Sequence, residues 1–195
     1  MTGRLGLWRY LRPIFFVLLF ILGGCATQSP PKDSAALGFD TLQRNGRFAA
    51  KTEQVNRNPE AVQGGFSWQD TGEQFTLELT NPFGSVLARV LVNRTGATLE
   101  KANGETFRAP TPDALIEEVL GQTIPVQGLR AWLRVQQQAT REMRAVEQDA
   151  EGRIIAFSQN GWRVQLSRFD AIGPRLIALS RTERDRLVAI RLVID

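Results

Sequence analysis

The chain has 195 residues, which is the size of one ordinary domain with a short extension. It contains no histidine and a single cysteine, which excludes zinc sites built from histidine and cysteine and also Ser-His or Cys-His catalysis. The 24 basic and 20 acidic residues give a net charge of +4.

The first 24 residues have the pattern of an export signal. Three arginines and no acidic residue precede nine consecutive apolar residues, 14–22, and then Gly23 and Gly24. Spanning a bilayer takes about 20 apolar residues, so this stretch is too short for a transmembrane helix. Removing 24 of the 195 residues leaves 171, with 21 basic and 20 acidic residues. A nucleic-acid partner therefore loses its electrostatic support.

The single cysteine, Cys25, follows Leu22-Gly23-Gly24, which resembles the lipobox at which bacterial lipoproteins are acylated on cysteine and cleaved. An unpaired cysteine in an oxidising compartment needs an explanation, and lipidation provides one. The alternatives are a buried free thiol and a chance run of small residues. We predict a lipoprotein signal peptide over 1–24, a lipidated cysteine with a solvated tether over 25–33, and a single domain over 34–195.

A short helix is predicted next, over residues 34–45. Its apolar positions fit one helical stripe, and Asn45-Gly46 offers a stop signal. The apolar positions are Ala35, Ala36, Phe39 and Leu42.

Antiparallel strands follow, because apolar and polar residues alternate with period two. Two such segments flank a turn at 70–72, and 85–92 is a third, almost wholly apolar segment. The alternating apolar residues are Val62, Gly64, Phe66 and Trp68, then Phe75, Leu77 and Leu79.

The turn before the third segment has the unusual sequence NPFG. Asn81, Pro82 and Gly84 suit positions i, i+1 and i+3 of a type I turn. Phe83, at i+2, is the one residue that the turn does not require. Its ring either faces solvent or folds back on the core.

Two Asn-Gly pairs and two helices are predicted in the second half. Asn103-Gly104 and Asn160-Gly161 predict type I′ hairpins, whose central residues both need positive φ. Thr111, Pro112 and a terminal glycine predict a helix over 112–120. A second helix should follow TIPV, and four closing strands end the chain. The second helix would carry Leu129, Trp132 and Leu133 on one side.

These elements predict a mainly β fold, a curved antiparallel sheet of about ten strands covered by helices. An ordinary sandwich with one helical loop is the alternative. The inner apolar residues would either fill a core or line a cavity for an apolar ligand, and the sequence leaves both open. The candidates are Phe48, Phe66, Trp68, Phe75, Leu115, Trp132, Phe157, Trp162 and Phe169.

Three segments stand behind the lipobox: FSWQDTGEQFTLELTNPFGS, GQTIPVQGLRAWLR and SQNGWRV. Together with the lipobox they resemble the LolB family of outer-membrane lipoproteins, and the resemblance spans nearly the whole mature chain. It implies an incomplete antiparallel β-barrel of about eleven strands, with a helical lid over an apolar cavity for acyl chains. Members of the family receive lipoproteins from the soluble carrier LolA and insert them into the membrane.

The resemblance also implies the partners and the location. The partners would be lipoprotein-loaded LolA, lipoprotein acyl chains and outer-membrane phospholipid, with no cofactor, no metal and no nucleic acid, and the protein would be a monomer. Ala26 stands where an aspartate would retain a lipoprotein in the inner membrane. We therefore expect a lipid anchor in the inner leaflet of the outer membrane, on the periplasmic face.

The family has an exposed apolar residue, usually leucine, in the loop between its third and fourth strands, and membrane insertion is assigned to it. The matching residue is Phe83, between Pro82 and Gly84. Burying one phenylalanine contributes about 1.5 to 3 kcal/mol, whereas each buried CH₂ of an acyl chain contributes about 0.8 kcal/mol. The lipid on Cys25 must therefore hold the protein on the membrane, and Phe83 can only perturb it.

The sequence is also compatible with other functions. The protein could be a structural or assembly lipoprotein with a filled core that binds an outer-membrane protein, or a general periplasmic lipid-binding protein. An enzyme is disfavoured because no serine has a histidine to activate it. Arg130 could either order the lid or cap local structure.

Overall fold

A computed structural model describes residues 41–134 and 138–195, which lie in one compact unit, 39–195. The signal peptide, Cys25 and the tether lie outside the described residues and stay predictions. No helix in the described part of the chain is long and apolar enough to cross a membrane.

The described residues form one antiparallel sheet of eleven strands. Six strands come first: β1 (Leu42–Gln54), β2 (Glu60–Asp70), β3 (Phe75–Thr80), β4 (Val86–Asn93), β5 (Gly96–Lys101) and β6 (Thr106–Ala109). Five follow later: β7 (Arg144–Gln148), β8 (Ile154–Gln159), β9 (Trp162–Phe169), β10 (Pro174–Glu183) and β11 (Arg186–Ile194). The predicted meander of four closing strands is confirmed.

The sheet does not close, because β6 and β7 are its two edges in the order β6-β5-β4-β3-β2-β1-β11-β10-β9-β8-β7. Two helices, α1 (Pro112–Leu120) and α2 (Val126–Trp132), connect these edges in the chain. The predicted mainly β fold, an incomplete barrel with a helical lid, is confirmed, and a sandwich of two sheets is not formed.

Helix α1 begins and ends where its local signals predict. The Thr111 hydroxyl accepts a hydrogen bond from the Ala114 N–H at 3.2 Å, and Pro112 occupies the first turn. Gly121 has a φ of 64° and donates its N–H to the Glu117 carbonyl at 2.8 Å. The helix therefore needs little help from the rest of the fold to fix its bounds.

The predicted helix over residues 34–45 is wrong for its last part, since Leu42 begins β1. Leu42, Arg44 and Gly46 are buried while the residues between them are exposed, which is the period of a strand. Gly46 pairs with Phe66 on one side and Ile194 on the other. The pairing of β1 with strands on both sides outweighs the weak local preference for a helix. Gly46 allows close packing in the sheet and does not end a helix. Residues 34–40 lie outside the described part.

The two Asn-Gly pairs form different turns. Asn160 and Gly161 have φ of 50° and 79°, and they join the paired residues Gln159 and Trp162, as a type I′ hairpin requires. Of the pair at 103–104, only Gly104 has positive φ, and it donates its N–H to the Lys101 carbonyl at 2.9 Å. The predicted type I′ turn is therefore wrong at this site.

The inner face of the sheet and the lid share one hydrophobic cluster. Trp68 stacks on Phe75 with ring centroids 4.5 Å apart, and Trp132 of α2 meets Phe157 edge to face at 5.4 Å. Leu129 and Leu133 lie on the same side as Trp132 and are buried with it, so the predicted second helix is confirmed.

Candidate functional site

The turn between β3 and β4 is built by Asn81. Its carbonyl accepts the Gly84 N–H at 3.0 Å, and its side-chain oxygen accepts the N–H groups of Phe83 at 2.9 Å and Ser85 at 3.0 Å. Gly84 has a φ of 87°, which favours glycine. The predicted turn is confirmed, and none of these hydrogen bonds uses the Phe83 side chain.

Phe83 projects from this turn with 95% of its surface exposed. It is therefore not folded back on the core. The exposed apolar surface continues into β4, where Val86 and Leu87 are 40% and 39% exposed. A loop tip with this much exposed apolar surface is a candidate for contact with a membrane or a partner.

Two glycines of β2 let the strand ending at this turn approach closely. A Cβ atom at Gly64 would contact the Thr80 carbonyl, and one at Gly65 would contact the Thr80 hydroxyl. Thr80 is the last residue of β3 and directly precedes Asn81. The base of the Phe83 turn is thus fixed against the sheet by backbone packing.

The nine candidate cavity residues all join the inner cluster. Seven are at most 6% exposed: Phe66, Trp68, Phe75, Leu115, Trp132, Phe157 and Trp162. Phe48 and Phe169 are partly buried and pack against it. Sheet and lid both contribute, and the side chains pack on one another. A role in binding acyl chains stays a prediction for these residues.

Arg130 ties the lid to the end of β2. Its Nε donates to Asp70 Oδ2 at 2.8 Å, and its Nη2 donates to Asp70 Oδ1 and to the Gly72 carbonyl, both at 2.7 Å. The guanidinium also lies over the Phe75 ring, 5.2 Å from its centroid. Arg130 therefore orders the lid, which decides between the two roles that the sequence allowed.

The Asp70 carboxylate is buried, with 3% of its side chain exposed. Burial by itself would raise its pKa, but hydrogen bonds from Arg130 and the Gly72 N–H outweigh that effect, so the pKa is lowered. Arg134 adds a second cation at 3.9 Å. The carboxylate thus stays charged beneath the lid because α2 supplies its partners.

A second ion pair joins β1 to the turn between β9 and β10. Arg44, which is 4% exposed, donates through Nη1 to Asp170 Oδ2 at 2.6 Å and through Nη2 to Oδ1 at 3.0 Å. The Arg44 hydrogen bonds place the pKa of Asp170 well below its usual range. A Cβ atom at Gly173 would contact the Leu133 carbonyl, so this turn packs against the end of α2.

Sequence reasoning missed Asp70, Arg44 and Asp170. Arg44 and Asp170 are 126 residues apart, and Asp70 and Arg130 are 60 apart, so no local spacing links them. The sequence offered no signal for these pairs, because the burial of Arg44 and Asp70 is evident only in the folded sheet.

Metal chemistry has no candidate site in residues 41–134 and 138–195, where no group of three or more acidic, histidine or cysteine side chains could hold an ion.

Comparisons with known proteins point in one direction. The family model described as outer membrane lipoprotein LolB matches residues 40–195. The outer-membrane lipoprotein LolB of Bordetella pertussis is 48% identical, with 92% of this chain and 89% of that protein covered. The protein of the same name from Bordetella petrii is 42% identical, with 96% and 94% covered. The one from Cupriavidus pinatubonensis is 35% identical, with 90% and 88% covered.

Among solved structures, a LolA superfamily protein from Nitrosomonas europaea aligns with a TM-score of 0.41 and 9% identity. The alignment covers 82% of this chain and 88% of that chain. A structural similarity at this TM-score and identity does not establish a relationship between the two proteins.

Proposed function

Because this chain belongs to the LolB family of outer-membrane lipoproteins, we propose that it receives lipoproteins from LolA, shelters their acyl chains and inserts them into the outer membrane. The protein is an outer-membrane lipoprotein facing the periplasm. Its task is lipoprotein localisation, and we infer that it performs no covalent chemistry.

One observation carries the binding role: the inner apolar cluster is formed jointly by the sheet and a two-helix lid. Moving α1 and α2 away would uncover Trp68, Phe75 and Phe157 without disturbing the hydrogen bonds between strands. An acyl chain could then take the place of the lid side chains Leu115 and Trp132. The lid thus works as an exchangeable cover over an apolar surface.

The energies of such an exchange are comparable. Each CH₂ that is buried from water contributes about 0.8 kcal/mol. One long acyl chain of about 15 CH₂ groups is therefore stabilised by roughly 12 kcal/mol relative to water. Uncovering one large apolar side chain costs about 1.5 to 3 kcal/mol. Binding one or two chains can therefore offset the opening of a lid that buries a few such side chains.

Anchoring and insertion fall to separate parts of the chain. We assign anchoring to acyl groups on Cys25, with residues 26–33 as the tether. Phe83, held out by Pro82 and Gly84, would enter the headgroup region of the outer-membrane phospholipid and loosen it where cargo leaves. Its 95% exposure supports this role because no rearrangement is needed to present the ring.

Transfer needs no external energy source under two conditions. The affinity of acyl chains for this protein must exceed their affinity for LolA, and their affinity for the membrane must exceed their affinity for this protein.

We infer that the protein works as a monomer, which sedimentation at micromolar concentration would test.

A fluorescent fatty-acid probe tests the binding role directly. We expect a saturable site that lipoprotein cargo competes for, and an affinity for acyl lipid above that of LolA. The absence of any site would instead favour a filled core and an assembly lipoprotein that acts through its outer surface.

A further inference from the structure

A polar cavity of about 260 Å³ lies beside the lid, between the α1–α2 connection and the ends of β10 and β11. Glu117 contributes from α1, and Gln122 and Thr123 contribute from the connection. The sheet contributes Trp162, Arg181 and Arg186. The proposed acyl-chain exchange under the lid does not involve this cavity.

Two buried donors of this cavity have no hydrogen-bond partner. Across residues 41–134 and 138–195, five buried side-chain polar atoms lack one, and two of them belong to residues that line this cavity, Trp162 Nε1 and Arg186 Nε. Leaving a buried N–H unsatisfied costs about 1 to 3 kcal/mol. Such atoms are usually completed by water or a ligand, and here two residues that line one cavity each leave a buried N–H group without an acceptor.

The cavity lies where the apolar interior ends. Trp162 is 2% exposed and belongs to the inner cluster, and it also lines the polar cavity. Val188 is partly buried against the inner cluster and also lines the polar cavity. An amphiphile with its chains in the cluster would therefore bring its first polar atoms to these donors.

The charges of the cavity favour a neutral acceptor over an anion. Arg181 pairs with Glu183, and Glu117 adds a second carboxylate to a lining that also includes Arg186. Two arginines and two glutamates cancel, so a phosphate would gain little net attraction. Carbonyl oxygens accept hydrogen bonds without bringing a charge into this balance.

We propose that the sheet side of this cavity binds the ester carbonyl oxygens of a diacylglyceryl group while the acyl chains enter the inner cluster. The donors would be Trp162 Nε1–H and Arg186, which belong to β9 and β11 and stay in place when the lid moves. This assignment rests on the proposed function. The same ester chemistry occurs in the lipidated cysteine of a lipoprotein and in a phospholipid.

Ether analogues provide the test, because they keep the chains and the glycerol but lack the carbonyl oxygens. We would displace a fluorescent fatty acid from the full-length protein with a dipalmitoylglyceryl-cysteine peptide and with its dialkyl ether analogue. Phosphatidylethanolamine in its ester and ether forms gives the second arm. The wild-type protein should bind the ester lipopeptide about 3- to 10-fold more tightly than the ether, as expected for one or two hydrogen bonds.

Two variants remove the donors separately. Trp162→Phe keeps an aromatic ring in the cluster but has no N–H group, and Arg186→Leu removes every N–H donor of the second side chain. Each should lower the ester-to-ether ratio towards one. Arg191→Leu makes the same substitution on the same strand at an exposed position and should keep the wild-type ratio. Because the ratio is taken within one variant, a general loss of stability does not alter it.

The outcomes separate the possibilities. A preference for the ester lipopeptide alone identifies lipoprotein as the ligand, and a preference in both arms means that the ester is bound from either source. Equal binding of ester and ether by the wild type, or an unchanged ratio in both donor variants, overturns the assignment and leaves the proposed function standing. No binding of any compound overturns both.

Discussion

Arg130 of the lid and Asp70 at the end of β2 form a two-point ion pair, with Nε to Oδ2 at 2.8 Å and Nη2 to Oδ1 at 2.7 Å. Asp70 is 2% exposed, so water cannot replace the arginine without a structural change. The pair therefore couples the position of α2 to the solvation of a carboxylate in the sheet.

Removing this arginine should loosen the lid. Arg130→Gln leaves Asp70 buried with a weaker partner, and we expect a loss of about 2 to 4 kcal/mol in the free energy of unfolding. Urea denaturation measures the loss, and hydrogen exchange should speed up in α2. Arg89→Gln breaks the exposed pair with Glu78 and should reduce stability much less, because water can replace the lost partner there. Equal effects of the two variants would contradict a special role for Arg130.

The Arg44–Asp170 pair should make stability depend on acid pH. The pKa of Asp170 in the folded protein lies below the ordinary value of 3.8, so its stabilisation is present above that value and is lost as pH falls below it. We expect the free energy of unfolding to decrease below about pH 4. Asp170→Asn should be less stable at pH 7, with the difference from wild type shrinking in acid.

Denaturant titrations between pH 2 and pH 7 measure this convergence. Glu118→Gln, at an exposed position of α1, serves as the control and should follow the wild-type curve. A constant difference between Asp170→Asn and wild type at every pH would rule out the ion pair as its cause.

Phe83 should affect insertion and not folding. Phe83→Glu should stay within about 0.5 kcal/mol of wild-type stability, because the side chain is exposed. It should accept lipoprotein from LolA normally and fail to deliver it to liposomes, while Phe83→Leu keeps delivery. Val55→Glu alters another exposed apolar residue, 63% exposed in the β1–β2 turn, and should deliver normally. Normal delivery by Phe83→Glu would remove the membrane role from this turn.

Cys25 should decide where the protein resides. Cys25→Ser cannot be acylated, and replacing residues 1–24 with the signal peptide of a soluble periplasmic protein ensures that cleavage still occurs. We therefore expect this variant in the soluble periplasmic fraction and not in the outer membrane. Membrane fractionation followed by immunoblotting measures the distribution. Circular dichroism of the released protein should match that of wild type, because the described strands begin only at Leu42. Continued outer-membrane retention would show that another segment anchors the chain.

The sequence predicts those features whose causes are local. Helix α1 is predicted to the residue because Thr111, Pro112 and Gly121 define both its ends. Phe83 is identifiable because the turn around it is complete without its ring. Both signals lie within a few residues of the feature that they specify.

The missed features depend on distant partners. The sequence at the start of β1 predicts a helix, because the strand is stabilised by distant parts of the chain. These are the pairing with β2 and β11 and the hydrogen bonds that Arg44 donates to Asp170. Strand β7 carries little apolar signal, since its residues are mostly exposed and its register with β8 is irregular. The ion pair of the lid could not be inferred, because Asp70 and Arg130 look like ordinary surface residues in sequence.

The pairing of β1 with β11 at the middle of the sheet has a consequence for folding. The strands β1 to β6 form one run of hairpins and β7 to β11 another, and each run can assemble from neighbours in the chain. Joining β1 to β11 closes a loop of most of the domain, which has a high entropic cost and a high contact order. We therefore expect this joining to be the slow step, so that a newly exported chain completes its apolar interior only after its last strand has docked.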